Sequence, residues 1–410
     1  MSKPEGHWLN RTVWGLAWTS FLSDLGHEGM STLLPSFLAA LGLPPLALGF
    51  IEGVSDAVSS FLKLGAGWIS DRMNHRKPFV VAGYAATGFA SGIIAAAPGF
   101  WLVFGGKLFG WAGRGLRGPL RDALLTDAIP IEARGRAFGF HRFGDTLGAI
   151  LGPLGAVMAL GWLQSRAFPP LPALRWVIFA TMLPGLAAAV VMAAVITEKR
   201  RVQVRHLPFR HALAQMPSTF RRYLLGVGLF GMGDFARTLL ILAAAQLLTP
   251  ALGIGRASVM AGLLFVLHNT IYALSAYPAG SIADRVGHRR VLGYGYLVFV
   301  LVPAGLLVGF HLGGLPLPAL AAIFALAGFV NGVQDTLEGA ATADLAPEEH
   351  RGLAFGLLGS VNGVGDLFSS LVVGGLWTLH PTMGFGFSAL MALVGAVAVL
   401  KGASLPDRTR

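Results

Sequence analysis

Cysteine is absent from all 410 residues, and charged side chains make up only 12% of them. The first absence excludes disulfides, thiolate metal sites and cysteine nucleophiles together. The second excludes an ordinary soluble domain, which carries roughly twice that charged fraction. No Gly-x-x-x-x-Gly-Lys-Ser/Thr phosphate loop occurs, so ATP-driven work is not expected. His27-Glu28 opens a zinc-protease pattern, but Ser31 stands where its second histidine belongs. Gly226-x-Gly228-x-x-Gly231 matches a dinucleotide fingerprint in letters only, with no strand before it. The chain is therefore read as no enzyme, and nothing in it calls for a cofactor.

What is present is apolar. Hydrophobic residues are 54% of the chain, and the mean hydropathy is +0.65. Runs of about 20 apolar residues, each enough to cross a ~30 Å hydrocarbon core, recur from end to end. They break at Pro/Gly clusters and charged runs, which predicts spans near 12–40, 45–70, 78–98, 100–122, 136–161, 173–197, 222–248, 256–280, 289–311, 316–340, 352–378 and 382–402. The fold class is thus an all-α polytopic membrane protein of twelve helices. Met1 to Arg11 is short and mixed, and the first run is too long for a cleavable signal, so that run is expected to remain as span 1.

The net charge of +11 would suggest nucleic acid in a soluble protein; here it serves topology. Lys and Arg crowd the segments on one side of the alternation, and only Arg166, Arg175 and Arg256 fall on the other. By the positive-inside rule both termini are cytoplasmic, in the cell (inner) membrane. The stretch 198–221 is a basic cytoplasmic linker suited to anionic lipid. It separates an N-terminal bundle of six helices, 1–197, from a C-terminal one, 222–410.

The two halves repeat each other. Gly67-Trp-Ile-Ser-Asp71-Arg72-Met-Asn-His75-Arg76-Lys77 matches Gly280-Ser-Ile-Ala-Asp284-Arg285-Val-Gly-His288-Arg289-Arg290, offset by 213. Asp127-Ala-Ile-Pro130 through Arg134-Gly135-Arg-Ala137-Phe138-Gly139 matches Asp344-Leu-Ala-Pro347 through Arg351-Gly352-Leu-Ala354-Phe355-Gly356, offset by 217. Nearly equal offsets on the same side mean parallel repeats, for which a site near the bilayer midplane is expected.

On these residues the chain resembles the major facilitator superfamily over essentially its whole length. The family signature Gly-x-x-x-Asp-Arg-x-Gly-Arg-Arg/Lys is met by Gly67, Asp71, Arg72, Arg76 and Lys77, with Asn74 in place of the usual glycine. The second copy is fuller: Gly280, Asp284, Arg285, Gly287, Arg289 and Arg290. The resemblance implies two six-helix bundles working by alternating access. It also implies a cytoplasmic gate, with Asp71 at the N-terminus of span 11, Asp284 at the start of span 5, and Arg76 and Lys77 pairing with Asp122 or Asp127. Gly139-x8-Gly148-x3-Gly152-Pro153 resembles the family's antiporter motif; Ala156 and Val157 stand where its final glycines belong. It supports the drug or small-molecule:proton antiporter branch, and it would equally serve as a glycine packing face. Arg114 is the match to the family's buried span-4 arginine, linked to proton coupling.

Ionisable residues inside spans are functional candidates, because a solitary charge costs at least ~2.5–3.5 kcal/mol at the helix centre. Asp24, His27 and Glu28 share one side of span 1, and Glu52 and Asp56 one face of span 2. Span 4 carries Lys107, and its Arg114, Arg117 and Arg121 form a stripe at i, i+3, i+7. Span 5 adds His141, Arg142 and Asp145; the second half adds Asp234, Arg237, Asp335, Glu338 and Asp366. A carboxyl between burial, which favours its neutral form, and arginine, which favours its charge, can exchange a proton as a cavity changes sides. Asp24 and Glu28 are the leading proton carriers, and the thinner second half suggests proton handling concentrated in the first. Asp234 and Arg237, at i, i+3, are read as neutralising each other.

The leading expectation is proton-coupled export of a small organic substrate or drug by a monomer in the lipid bilayer, with no nucleic-acid partner. Two alternatives stand beside it: an organic-anion or lipid carrier using the arginines, and a divalent metal exporter of the iron type using Asp24, His27 and Glu28.

Overall fold

Every regular element is a helix among the described residues, which are 9–70, 75–129, 134–198, 216–345 and 351–403 of a computed structural model. In the first half these are α1 (Arg11–Ala40), α2 (Pro45–Ser70), α3 (Lys77–Ala96), α4 (Phe100–Asp127), α5 (Arg134–Ser165), α6 (Pro170–Ala180) and α7 (Met182–Val195). In the second they are α8 (Ser218–Gly231), α9 (Arg237–Val286), α10 (His288–Phe299), α11 (Leu301–Leu312), α12 (Leu317–Leu345), α13 (Arg351–Leu379) and α14 (Pro381–Ala403).

Nine stretches of the described residues are long and apolar enough to cross a bilayer. The 47-residue stretch Arg237–Ala283 holds two passes, because Gly253 takes φ 73°, ψ 160° and bends α9 just after Pro250. Two further rods, α1 and α4, fall outside the nine, and both carry the buried charges of the candidate site. With them the described residues make twelve passes.

Three spans expected to be continuous are broken. The sixth divides at Thr181 into α6 and α7, and the ninth at Val300 into α10 and α11, each just ahead of a proline, Pro184 and Pro303. The seventh is interrupted over Met232–Ala236, between α8 and α9. There Ser388 Oγ donates to Gly233 O at 2.5 Å and Ser369 Oγ to Asp234 O at 2.8 Å. Side-chain hydroxyls from α13 and α14 thus satisfy backbone groups the break would otherwise leave bare in an apolar surround.

The helices pack as two units. One holds the described residues of Met1–Leu41 and Val58–Arg205; the other holds those of Gly42–Ala57 and His206–Arg410. The hydropathy reading assigns all of α2 to the first half, whereas Gly42–Ala57 groups with the second unit. Close approach explains it: a Cβ on Gly49 would run into the backbone of Ser370 on α13. The linker expected over 198–221 falls mostly outside the described residues.

In the first unit α1 is seated against α5 by glycines. A Cβ on Gly148 would collide with the carbonyl of Phe21, and one on Gly152 with that of Leu25. Backbone touching backbone is how small residues bring membrane helices together. Asn10 caps α1 through Oδ1, accepting from the N–H groups of Thr12 and Val13, while its Nδ2 donates to Ala128 O at the end of α4. The core of this unit joins Val13 and Leu16 of α1 to Tyr84 of α3, Leu120 and Leu124 of α4 and Met192 of α7.

Candidate functional site

The tight α1–α5 seam fixes the rotation of α1, and α4 lies across from its polar face. Asp24 is 9% and His27 4% exposed; Glu28 is half-buried. Arg114 Nη2 of α4 stands 3.6 Å from Asp24 Oδ1. One turn earlier Trp111 presents its ring to His27, with centroids 4.3 Å apart. Lys107 Nζ sits 4.2 Å from the centre of the same indole, and the Arg114 guanidinium 5.4 Å from it. Both are cation–π distances. Lys107 is 1% exposed.

Deeper along α4, Arg117 is 3% exposed, and its hydrogen bonds among the described residues go to neutral groups. Its Nη1 donates to Thr87 Oγ1 and its Nη2 to Ser23 Oγ, both at 2.8 Å, and its guanidinium lies 4.0 Å over the ring of Tyr84. Arg121 turns toward Asp122, with Nη2 2.9 Å from Oδ1, and donates from Nη1 to Ser20 Oγ at 3.3 Å. Ser20 in turn is 2.7 Å from His141 Nε2, whose other nitrogen is 3.6 Å from Asp145 Oδ2. Arg142 Nη1 lies 3.9 Å from the same carboxylate. The stripe on α4 is therefore one edge of a polar network reaching α1, α3 and α5 inside the first unit. The fully buried arginine of the site is Arg117, not Arg114, which keeps 31% of its side chain exposed.

Two contributors, Lys107 and Trp111, were not ranked by sequence reading. Their signal was available: Lys107, Trp111, Arg114 and Arg121 recur at i, i+4, i+7 and i+14, one face of α4. Asp24, His27 and Glu28 do not converge as a metal site, since no group of three His, Cys, Asp or Glu that could hold a metal ion occurs among the described residues. His27 instead faces Trp111, with Ser31 Oγ 3.4 Å from its Nε2.

Glu52 and Asp56, on the N-terminal part of α2, belong to the second unit. Glu52 is 3% exposed and Asp56 half-buried. Asp234 lies in the break before α9, so it does not share a helical turn with Arg237, whose side chain is exposed. Arg237 still acts electrostatically on Asp234 across the break. Asp366 lies within electrostatic reach of Asp56, Asp234 and Arg237, and Asp234 within reach of Arg237. Asp335 is exposed and accepts from Tyr272 OH at 2.7 Å.

Of the gate residues, Asp71 and Arg72 lie outside the described residues, as do the side chains of Asp284 and the first residues of α5, Gly139 among them. Gly67 and Gly280 sit near the ends of α2 and α9. Arg76, 1% exposed, donates from Nη1 to Asp127 Oδ2 at 3.1 Å. Asp122 is engaged by Arg121. Glu198, which the sequence did not single out, accepts from the backbone N–H groups of Arg76 at 2.7 Å and Lys77 at 3.0 Å. An anion there completes the N-terminus of α3, where Pro78 cannot donate. In the second copy His288 Nδ1 lies 2.6 Å from Asp344 Oδ2; Arg285 and Arg290 are exposed and Arg289 is half-buried.

The profile of the Major Facilitator Superfamily matches residues 16–236 and 223–410. An uncharacterised MFS-type transporter of Methanocaldococcus jannaschii is 28% identical over 396 residues, 96% of this chain and 95% of the relative. A multidrug resistance protein of Photorhabdus laumondii is 30% identical over 118 residues, 29% of each chain. Among solved structures, a peptide transporter POT in complex with sulfate superposes with a TM-score of 0.76, covering 96% of this chain and 94% of its own. At 16% identity that likeness shows the fold alone. Transporters, not enzymes, are what this chain is similar to, and it belongs to the Major Facilitator Superfamily as a multi-pass secondary transporter.

Proposed function

We propose that the chain is a proton-coupled antiporter that exports small organic molecules across the cytoplasmic membrane, with both termini inside. The observation that carries this is the Asp24–Arg114 pair at 3.6 Å, between α1 and α4 of the first unit. A carboxylate and a guanidinium at that distance are in electrostatic contact without a closed, bidentate bond. Protonation of Asp24 releases Arg114, and loss of the proton draws it back. His27, Glu28, Lys107 and Trp111 line the same stretch and are assigned to the substrate path. Arg117 is assigned to holding α1, α3 and α4 in register. Arg76, Lys77, Asp127 and the corresponding residues of the second copy are assigned to the gate.

Support for export comes from the Gly148, Gly152, Pro153 pattern and from the multidrug resistance relative. The glycines also serve the α1–α5 seam, so their bearing on direction rests on the resemblance. A monomer suffices for this scheme. The test is a drug-resistance and efflux screen in cells, wild type against Asp24→Asn, with external pH recorded. Resistance conferred by wild type and lost in the variant supports the reading; equal resistance in both removes Asp24 from it.

A further inference from the structure

A second carboxyl is buried in the other unit, and among the described residues no cation forms an ion pair with it. Glu338 of α12 is 4% exposed. Its Oε1 accepts from Tyr296 OH at 2.5 Å and its Oε2 from Asn362 Nδ2 at 2.6 Å. Its own backbone carbonyl accepts from Tyr223 OH at 2.9 Å. These donors come from α10, α13 and α8, so three helices converge on one residue of a fourth. Phe230 of α8 lies flat against Tyr296, with centroids 3.5 Å apart and planes at 4°, which holds the phenol in place.

Both hydrogen-bonding partners of the carboxyl, Tyr296 and Asn362, are neutral. The other charged groups in its field are acidic: Asp335 on its own helix, Asp234 in the break before α9 and Asp366 on α13. Arg289 of α10 acts on Tyr223, and Arg237 of α9 on Asp234 and Asp366. Glutamine there would bury no charge, but it would set its own NH2 against one of the two donors, Tyr296 OH or Asn362 Nδ2. A glutamic acid there has hydrogen-bond partners in either state. Ionised, it accepts from Tyr296 and Asn362; protonated on Oε1, it donates to the Tyr296 oxygen and still accepts from Asn362 on Oε2.

The two halves differ at this place. At the offset of 217, Glu338 takes the place of Arg121 and Asn362 that of Asp145; at the offset of 213, Tyr296 falls one residue from Tyr84. The first unit thus builds its hub around a permanent cation, and the second builds the corresponding hub around an acid that can change charge.

We propose that Glu338 is a proton-carrying group of the second unit, taking up one proton on Oε1 and releasing it within each transport cycle. Its place in that cycle rests on the proton-coupled reading above, whereas its titration can be observed without any substrate. The experiment is infrared difference spectroscopy of the purified full-length protein in lipid nanodiscs, stepped between about pH 5 and pH 9. Wild type shows C=O bands of carboxyls that gain and lose protons. Glu338→Gln removes one of these bands and leaves the band that Asp24→Asn removes. Tyr296→Phe, which keeps the carboxyl, moves the midpoint of the Glu338 band, and serves alone if Glu338→Gln does not purify as a single species. A wild-type spectrum unchanged by Glu338→Gln, or a band unmoved by Tyr296→Phe, overturns the proposal. Loss of the Asp24 band with the Glu338 band absent would leave proton coupling in the first unit and remove it from the second.

Discussion

Arg114 holds Asp24 at 3.6 Å with one terminal nitrogen, while the other, Nη1, is buried with no hydrogen-bond partner among the described residues. The contact is thus made by one nitrogen and is not the bidentate fork of a closed pair. Replacing Arg114 with Gln should therefore uncouple transport, lowering proton-driven flux on the order of tenfold or more, equivalent to ~1.4 kcal/mol or above. Reconstituted flux of wild type and Arg114→Gln at matched protein density checks this.

The α1–α5 seam sets where Asp24 points, so glycine substitutions there should act on function through geometry. Gly152→Val places side chain against the Leu25 carbonyl and should cost about 1–3 kcal/mol. Gly155→Ala, three residues on with nothing described within 4 Å of its Cβ position, should be neutral. Thermal midpoints of the two variants in one detergent distinguish them.

Arg117 anchors three helices through Ser23, Thr87 and Tyr84. Lysine retains the charge and cannot span both hydroxyls with a planar fork. Arg117→Lys should lose about 1–2 kcal/mol, as expected for one charge-assisted hydrogen bond. The same melting measurement reads it, and an unchanged midpoint would mean the network does not depend on the fork.

At the start of α3, Arg76 is enclosed while its partner Asp127 keeps 35% of its side chain exposed. Solvent screening weakens that pair, and Arg76→Ala should cost about 1–2 kcal/mol rather than the larger penalty of a fully buried ion pair. Glu198→Gln should weaken the first turn of α3 by about 0.5–1 kcal/mol. Hydrogen exchange at that turn reports both.

Much of the fold was legible because it rests on periodicity and composition, which act locally. Twelve helical passes among the described residues, the repeat and the stripe on α4 all follow from residue spacing. The break at Met232–Ala236 was not legible: Gly231-Met-Gly233 reads as ordinary small-residue packing, and the hydroxyls that stabilise the break, Ser369 and Ser388, lie more than a hundred residues away. The same holds for α2, whose division between units depends on Ser370 meeting Gly49. Asp24 and Arg114 could be ranked because each stands in a run of charges. Glu338 could not, since its hub is made by Tyr296 and Asn362, neutral residues that become informative only once the helices are packed.

The mechanism proposed for the first unit turns on Asp24 carrying the coupled proton. Proton flux in vesicles of purified protein, reconstituted at known orientation, reads that role without an intermediate step. The flux is driven by a substrate gradient taken from the efflux screen, in wild type and Asp24→Asn. The variant is expected to exchange substrate across the membrane still, while its substrate-driven proton flux falls to the level of empty vesicles. Wild-type proton flux in Asp24→Asn would contradict the mechanism.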